Sequence, residues 1–245
     1  MEAAEYRRMF ELEDRLWWYR GLRLHLSAAI GRAGLRTDAR VLDAGCGTGA
    51  NLVLLAESFN RVVGADLAMD AISLARRRGA KRVLVADIND LPFATSAFDL
   101  VLASDVFECA EVDEQRALAE LIRVTRPGGR LIVAVAAFQF LLSEHDRAVH
   151  SVRRYTKARA RRAFAHPALR IARQRYCFGA LFPPMAAYRL LWRRPRTDTP
   201  ARSDLAMPPR WLNGLLLAVT RLEARALVKT PLPFGATLLV ELDRV

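Results

Sequence analysis

Between residues 40 and 136 the chain alternates short apolar runs with segments of helical periodicity. Five runs are predicted as strands, and each ends in a small or acidic residue: 40–43, 61–66, 82–87, 98–104 and 130–136. Apolar strands that alternate with helices are typical of a parallel sheet covered on both faces. The pattern therefore predicts an α/β fold, in which ligands bind beyond the carboxyl ends of the strands where the strand order reverses.

The flanking segments complete the expected architecture. Residues 2–33 are predicted as two helices broken near Gly21, and a helix, a sixth strand and a last strand are predicted at 156–165, 168–178 and 237–242. The proline-rich stretch between the last two strands breaks this period and indicates a helical insertion or lid. We expect a Rossmann-like sheet of seven mostly parallel strands with helices on both faces. Its parts are an N-terminal helical cap (1–37), a core (38–178), the insertion (179–233) and a last core strand (234–245).

The composition is that of a globular protein. Hydrophobic residues make up 52% of the chain and charged residues 26%, which is too apolar for a disordered chain. The three cysteines cannot form a closed disulfide framework and stand in no Cys-x-x-Cys pair, so we expect a cytoplasmic protein without a metal site. The charged N-terminus lacks the apolar region of a secretory signal, and no run of about 18 uncharged apolar residues predicts a membrane span.

The positive charge is concentrated in the C-terminal part of the chain. Residues 1–140 carry 18 Lys+Arg and 19 Asp+Glu, a net charge of −1, whereas residues 141–245 carry 20 and 7, a net charge of +13. The sum is the overall charge of +12. Such asymmetry indicates an anionic partner, either lipid, nucleic acid or substrate. The alternative is a solvated surface in a chain whose composition favours arginine.

A glycine-rich loop follows the first predicted strand. The segment VLDAGCGTGANL, at 41–52, contains Gly45, Gly47 and Gly49, which permit a tight turn and close approach of a ligand to the backbone. The spacing is not that of a dinucleotide-binding loop, and there is no Gly-Lys-Ser/Thr of a P-loop. Asp43 would repel a pyrophosphate and suits a ligand with a cationic amine.

The loop and the segments after it resemble one known family. VLDAGCGTG is similar to the first motif of the class I S-adenosylmethionine-dependent methyltransferases, with a type 11, UbiE-like core. LPFATSAFDLVLASDVFE and LIRVTRPGGRLIV resemble the family's later segments, in the same order. The resemblance covers roughly residues 38–136 and implies S-adenosylmethionine as cofactor, with S-adenosylhomocysteine as product.

The resemblance also implies the cofactor-binding residues. Asp66, followed by Leu67, would hold both ribose hydroxyls, while Asp87 would take the adenine amino group and Ile88 would pack on the ring. The full set expected at the cofactor is Asp43, Gly45, Cys46, Gly47, Asp66, Leu67, Asp87, Ile88 and Asp105. The structural alternatives are that Asp43 caps the loop and that Asp87 caps the following helix.

The acceptor side is predicted from two further segments. Residues 144–155 resemble the HD…H…RRY segment of a bacterial methyltransferase subgroup and nominate His145 and His150 as catalytic bases. Candidate acceptor-binding residues are Trp18, Tyr19, Arg153, Arg154 and Tyr155. The alternatives are that Asp146 forms an ion pair with an arginine, that the histidines lie on the surface or pack, and that the aromatic residues cap the sheet.

These observations favour in-line methyl transfer to a small-molecule or lipophilic acceptor. One alternative is an RNA methyltransferase that uses the basic C-terminal third, although no nucleic-acid-binding motif supports it and nucleic acid is the less favoured partner. Another is a non-catalytic binding protein with the same fold. The basic, amphipathic segment 211–228 predicts either core packing or peripheral contact with an anionic membrane, at its inner surface. The sequence leaves the oligomeric state open.

Overall fold

The computed structural model describes residues 2–192, 206–226 and 232–245, and within them seven strands form one sheet. The strand order is β3-β2-β1-β4-β5-β7-β6. In the sheet, the four neighbouring pairs β3–β2, β2–β1, β1–β4 and β4–β5 are parallel. β7 runs antiparallel to both of its neighbours, β5 and β6. The expected seven-stranded, mostly parallel sheet is thus confirmed. The strands are β1 (Arg40–Ala44), β2 (Arg61–Asp66), β3 (Val83–Val85), β4 (Phe98–Ser104), β5 (Thr125–Ala136), β6 (Leu169–Cys177) and β7 (Thr237–Arg244).

The strand order reverses between β1 and β4. From β1 the chain moves outward to β2 and β3, then returns to place β4 on the other side of β1. The loops that leave β1 and β4 therefore diverge, and a crevice opens at their carboxyl ends. The glycine loop and Asp105 follow these two strands directly.

Helices cover both faces of the sheet. One core cluster packs α5 and α7 on one face, and a second packs α2 and α3 on the other. The described helices are α1 (Ala3–Leu12), α2 (Trp17–Arg32), α3 (Ala50–Ala56), α4 (Met69–Arg77), α5 (Glu114–Val124), α6 (Glu144–Ala148), α7 (Lys157–Ala163), α8 (Phe182–Trp192) and α9 (Arg210–Ala226), with a 3₁₀ turn at Gln139–Leu141. None of them is long and apolar enough to cross a membrane.

The N-terminal helices break at a different place from the one predicted. The break lies at residues 13–16, and α2 continues through Gly21. A Cβ atom at Gly21 would stand 2.8 Å from both Phe178 Cε1 and Thr220 Cγ2. Gly21 therefore lets α2 approach β6 and α9 closely, and its role is packing rather than helix termination.

The Pro-Gly-Gly segment also differs from the expected helix-ending turn before a strand. Phe98 pairs with Thr125 and Leu100 with Arg130, so residues 126–129 bulge out of β5. Gly128, with a φ of 74°, accommodates the bend. The strand thus begins five residues earlier than the predicted Arg130.

A buried polar network attaches α9 to the sheet. Glu223 on α9 accepts hydrogen bonds from the amides of Gly179 and Ala180, at 3.0 and 2.9 Å. Its carboxylate lies 3.9 Å from His25 Nε2, and Arg175 on β6 reaches His25 Nδ1 at 2.6 Å. Burial, with the charge of Arg175, lowers the pKa of His25 to about 3, so the neutral ring accepts from the guanidinium.

Two glycines of α2 provide a matched test of this packing. We expect Gly21→Ala to destabilise the protein by about 1–3 kcal/mol, because the new methyl group meets Phe178 and Thr220. Gly31→Ala places a methyl group where no atom lies within 4 Å, so helix propensity should stabilise it by roughly 0.5–1 kcal/mol. Urea denaturation measures both. Equal effects of the two substitutions would contradict the packing role of Gly21.

Candidate functional site

The glycine loop is held against the end of β2. The amides of Gly45 and Cys46 both donate to the carbonyl oxygen of Ala65, at 2.7 and 2.9 Å. Gly45 has a φ of 77°, and a Cβ atom there would stand 2.0 Å from Cγ2 of Val106. Only glycine fits both conditions. Cys46 contributes through its backbone, because its side chain is buried and burial raises the pKa of its thiol.

Asp66 ends β2 beside this loop and is held in one orientation. Its Oδ2 accepts from the amide of Gly47 at 2.8 Å, and its Oδ1 accepts from the amide of Ala68 at 3.0 Å. The side chain is 9% exposed. Burial raises the pKa of Asp66, and the two amide hydrogen bonds act in the opposite direction. The arrangement is a pre-oriented acceptor for a ligand hydroxyl pair.

Asp43 lies below the loop, fully buried. Neither of its carboxylate oxygens has a hydrogen-bond partner among the residues that the structure describes. Burial, together with the charges of Asp66 and Glu13, raises the pKa of Asp43 to about 8. An ionised carboxylate without a partner is costly in the interior. A ligand that carries an amine would supply the missing partner, so the site fits the aminoacyl end of S-adenosylmethionine.

The next strand end offers the features expected for an adenine ring. Asp87 accepts from the backbone amide and the side-chain amide of Asn89, at 2.8 and 2.9 Å. Ile88 is buried beside it, and Leu67 is a large apolar side chain exposed at the end of β2. The alternative had Asp87 cap a following helix, but a turn follows it instead, and the Asn89 contacts close that turn.

Two carboxyl groups, those of Asp105 and Glu108, follow the carboxyl end of β4. Asp105 has a φ of 55° and accepts from Ser104 Oγ at 3.2 Å. Asp105 is exposed, yet desolvation by the surrounding protein raises the pKa of its carboxyl group to about 6. Glu108 is buried and accepts from the amide of Ala136, while its Oε2 has no partner in the described part of the chain. Burial, then the charge of Asp105, raises the pKa of Glu108 to about 8.

The N-terminal helices contribute residues that the motifs did not identify. The Glu13 carboxylate accepts from Thr48 Oγ1 in the glycine loop, and both side chains are buried. Burial, then the charge of Asp66, raises the pKa of Tyr6 on α1. Burial raises the pKa of Tyr19, and the charges of Glu13 and Asp105 add to the shift. Tyr19 was predicted at the acceptor, whereas no spacing signal in the sequence links Tyr6 or Glu13 to the loop.

Three of the predicted acceptor-binding residues lie elsewhere. Trp18 stacks on Phe178, with ring centroids 4.2 Å apart, as in the alternative in which it caps the sheet. Arg154 is buried and pairs with Asp146 at 2.6 Å. Tyr155 is also buried and donates to the backbone oxygen of Phe107. Interior partners thus occupy Arg154 and Tyr155, which favours the alternative of a packing role, and a role at an acceptor stays a prediction.

Of the three other candidates in segment 144–155, the structure describes the side chains of two. Arg153 donates to the carbonyl oxygen of Val112 at 2.9 Å. His150 Nδ1 lies 2.8 Å from Glu111 Oε1, a carboxylate that could fix the tautomer of the ring. The side chain of His145 falls outside the described residues, although its backbone belongs to α6. Roles for both histidines in catalysis stay predictions.

Comparison with known sequences gives matches to the central region of the chain. Residues 42–133 match the family model described as a methyltransferase domain. A demethylmenaquinone methyltransferase of Beutenbergia cavernae is 39% identical over 123 residues, which are 49% of this chain and 47% of the relative. A malonyl-[acyl-carrier protein] O-methyltransferase of Serratia marcescens is 38% identical over 109 residues, 44% of this chain and 42% of the relative. The chain thus spans about half the length of the relatives it matches.

Solved structures resemble the chain over a longer stretch. A chain in the complex of the Haloferax volcanii Trm112 methyltransferase activator with a methyltransferase has a TM-score of 0.62 at 23% identity, over 99% of this chain and 93% of that one. Geranyl diphosphate C-methyltransferase from Streptomyces coelicolor A3(2) has a TM-score of 0.57 at 20% identity, over 85% and 73%. At these identities the likeness establishes the fold. The resemblance of residues 144–155 to the HD…H…RRY segment lies outside the family match and stays a prediction.

The uncompensated carboxylate of Asp43 should cost stability. The pKa of Asp43 is raised from 3.8 to about 8. Between pH 4 and pH 8 the native protein therefore keeps a proton on Asp43 that the unfolded chain has lost. The free energy of unfolding falls as the pH rises through this range. We expect Asp43→Asn to be more stable than the wild type by roughly 1–3 kcal/mol at pH 9. The advantage should shrink towards pH 4.

Urea denaturation at pH 9 and pH 5 measures this difference. Asp38→Asn is the matched control, since Asp38 is exposed and forms a surface ion pair with Arg36 across 3.2 Å. A destabilised Asp43→Asn protein at pH 9 would contradict the argument.

Proposed function

We propose that this chain, whose residues 42–133 match a methyltransferase domain, is a class I S-adenosylmethionine-dependent methyltransferase and transfers a methyl group to a small-molecule or lipophilic acceptor. The observation that carries the proposal is the pairing of two buried carboxylates at one glycine loop. Asp66 is pre-oriented by two amides, and Asp43 lacks a partner. Hydroxyl and ammonium groups on one ligand would complement them.

The cofactor would be held along the carboxyl edge of the sheet. In this proposal Asp66 accepts from the ribose hydroxyls, Asp87 takes the adenine amino group, and Leu67 and Ile88 cover the ring. Asp43 pairs with the amine, and the backbone of Gly45, Cys46 and Gly47 follows the ligand closely, with Asp105 at the mouth of the crevice. When bound, S-adenosylmethionine supplies an already activated methyl group, so the protein has chiefly to hold and orient the acceptor.

The acceptor would enter beside Asp105 and Tyr19. Named relatives act on demethylmenaquinone and on malonyl-acyl-carrier protein, and a structural neighbour is in complex with geranyl diphosphate, which supports a small or lipophilic acceptor. If the acceptor must lose a proton, the candidate bases in this proposal are Asp105 after β4, and His145 or His150 in the segment after β5. Arg153, bound to the Val112 carbonyl, borders the same segment.

Asp66 provides the sharpest test of this proposal. We expect Asp66→Asn to weaken binding of S-adenosylhomocysteine by about 1.5–3 kcal/mol for each charge-assisted bond lost, because an amide accepts less strongly than a carboxylate. Isothermal titration calorimetry measures the affinity, with Asp38→Asn as the exposed control. Unchanged affinity in Asp66→Asn would refute the assignment.

Transfer itself separates an enzyme from a binding protein of the same fold. The wild-type protein should move label from methyl-labelled S-adenosylmethionine into a demethylated quinone or another lipophilic acceptor, and Asp66→Asn should lose most of this activity. Labelling of RNA in place of these acceptors would favour the nucleic-acid alternative. Tight cofactor binding without transfer to any acceptor class would favour the non-catalytic one.

We further propose that the outer face of α9 rests on an anionic membrane. Trp211, Leu215 and Leu222 lie along one side of the helix and are 71%, 54% and 65% exposed. Arg210, Arg221 and Arg225 are exposed on the same helix, and none forms an ion pair with a described residue. The opposite side packs on α2. Basic and apolar groups on one outward face suit the interface of an anionic bilayer.

Vesicle binding tests the membrane proposal. The protein should sediment with phosphatidylglycerol vesicles more than with phosphatidylcholine vesicles, and salt should weaken the binding. Leu215→Glu with Leu222→Glu should reduce vesicle binding at least severalfold. Val53→Glu, at an exposed position of α3, should not. Equal binding to neutral and anionic vesicles, or no effect of the paired substitution, would leave the face as an ordinary solvated surface.

A further inference from the structure

Glu13, directly after α1, binds a residue of the glycine loop. Thr48 Oγ1 donates to the carboxylate of Glu13 at 2.5 Å. Neither residue is more than 4% exposed. A hydrogen bond from a hydroxyl to a carboxylate is stronger than one between two neutral groups, and in the interior water does not compete with it. The pair therefore joins the N-terminal helices to the loop between β1 and α3.

Arg78, directly after α4, holds the backbone of the same loop residue. Its Nε donates to the carbonyl oxygen of Thr48 at 3.0 Å, and its Nη2 donates to the carbonyl oxygen of Phe10 at 3.2 Å. The Nη2 atom also lies 3.6 Å from Glu13 Oε2, and the side chain of Arg78 is buried. Both the hydroxyl and the carbonyl group of Thr48 are thus bound by residues outside the loop.

Thr48 stands between two glycines that have left-handed backbone conformations. Gly47 has a φ of 52° and Gly49 has a φ of 88°. Because glycine restricts its backbone less than any other residue, contacts from other segments have to fix the shape of such a loop. The Gly47 amide donates to Asp66 Oδ2 at 2.8 Å, and this bond needs the present conformation of the loop. The anchors of Thr48 therefore bear directly on the contact between the loop and Asp66.

The turn that carries Glu13 is itself held by two other helices. Arg23 on α2 donates to the carbonyl oxygen of Glu13 at 2.6 Å. Asn213 on α9 accepts from the amide of Trp17, the first residue of α2, at 2.9 Å. The Glu13 carboxylate is thus presented to the loop from a fixed support.

We propose that Glu13 and Arg78 are positioning residues of the cofactor site, which act through Thr48 and keep the Gly47 amide on Asp66. The inference rests on the proposed function, because it takes the glycine loop and Asp66 as cofactor-binding residues. Neither Glu13 nor Arg78 has to touch the ligand. Loss of either contact lets the loop populate conformations that do not bind, and the apparent affinity falls with the fraction of protein that is competent to bind.

Two substitutions of Glu13 separate the presence of its hydrogen bond from its absence. Glu13→Ala removes the acceptor of Thr48 and should weaken binding of S-adenosylhomocysteine by about tenfold, the value of one hydrogen bond to a charged group. Glu13→Gln keeps an oxygen that accepts from the hydroxyl, so its affinity should stay within about threefold of the wild type. Glu11→Ala, at an exposed position of α1, should leave the affinity unchanged. Isothermal titration calorimetry measures all four proteins.

Thr48 provides a second pair of variants, which decides the matter if Glu13→Ala does not fold. Thr48→Val lacks the hydroxyl and should weaken binding as much as Glu13→Ala, whereas Thr48→Ser keeps the hydroxyl and should retain binding. The double variant Glu13→Ala with Thr48→Val should bind no more weakly than either single variant, because the two residues act through one bond. Losses of affinity that add up in the double variant would overturn the proposal.

A general loss of stability must be distinguished from a displaced loop. Ile122→Val removes a methylene-sized group from the core beneath α5. This substitution should lower the midpoint of urea denaturation and leave the affinity for S-adenosylhomocysteine unchanged. An affinity that falls as far in Ile122→Val as in Glu13→Ala would show an effect of stability alone and would overturn the positioning role.

The same titrations separate this inference from the proposed function. If the wild type does not bind S-adenosylhomocysteine, the cofactor assignment fails and the positioning role fails with it. If the wild type, Glu13→Ala and Thr48→Val all bind equally well, the assignment stands and the positioning role is refuted. Weak binding by Glu13→Ala and Thr48→Val, with binding retained in Glu13→Gln and Thr48→Ser, would support both.

Discussion

The carbonyl oxygen of Ala65 accepts the amides of Gly45 and Cys46, and this shared acceptor joins the glycine loop to the end of β2. Asp66 is the next residue, so the same strand end positions the loop and the carboxylate that binds the Gly47 amide. The register of β1 on β2 sets Ala44 opposite Ala65. A slip of one residue would turn Asp66 to the other face of the sheet. The site therefore depends on the pairing of two short buried strands.

The site also concentrates groups that the fold alone does not require. Asp43 and Glu108 each bury carboxylate oxygens without a described partner, and Asp105 holds a positive φ at the end of β4. Such features are unfavourable for stability and cluster where ligands bind. They occupy the ends of β1 and β4, on the two sides of the point where the strand order reverses. These unfavourable groups thus lie where the strand order predicts a ligand-binding crevice.

Much of this could be predicted from the sequence because it depends on local pattern. Strand periodicity located the sheet, and the acidic residue that ends β2 located Asp66. Contacts between distant segments could not be predicted in this way. Glu13 reaches Thr48 across 35 residues, and Gly21 reads as a helix breaker until the close approach of Phe178 and Thr220 is known.

The polar segment 144–155 shows the same limit. Its residue types suggested an acceptor site, but residue type does not tell in which direction a side chain points. Asp146 lies inside and captures Arg154, and Tyr155 is buried below them. Some polar residues of this segment therefore bind each other and hold the segment in place.

The network of His25, Arg175 and Glu223 determines which sides of α9 can accept substitutions. Glu223 lies on α9 but binds the amides that follow β6, and it lies beside a histidine of α2. A chain shortened by removing α9 would lose Glu223 and leave the amides of Gly179 and Ala180 without their acceptor, so α9 is not a detachable module. The outward side of the same helix takes no part in this network. Substitutions can accumulate there at little cost to folding, which leaves that side free to diversify while the inner side is retained.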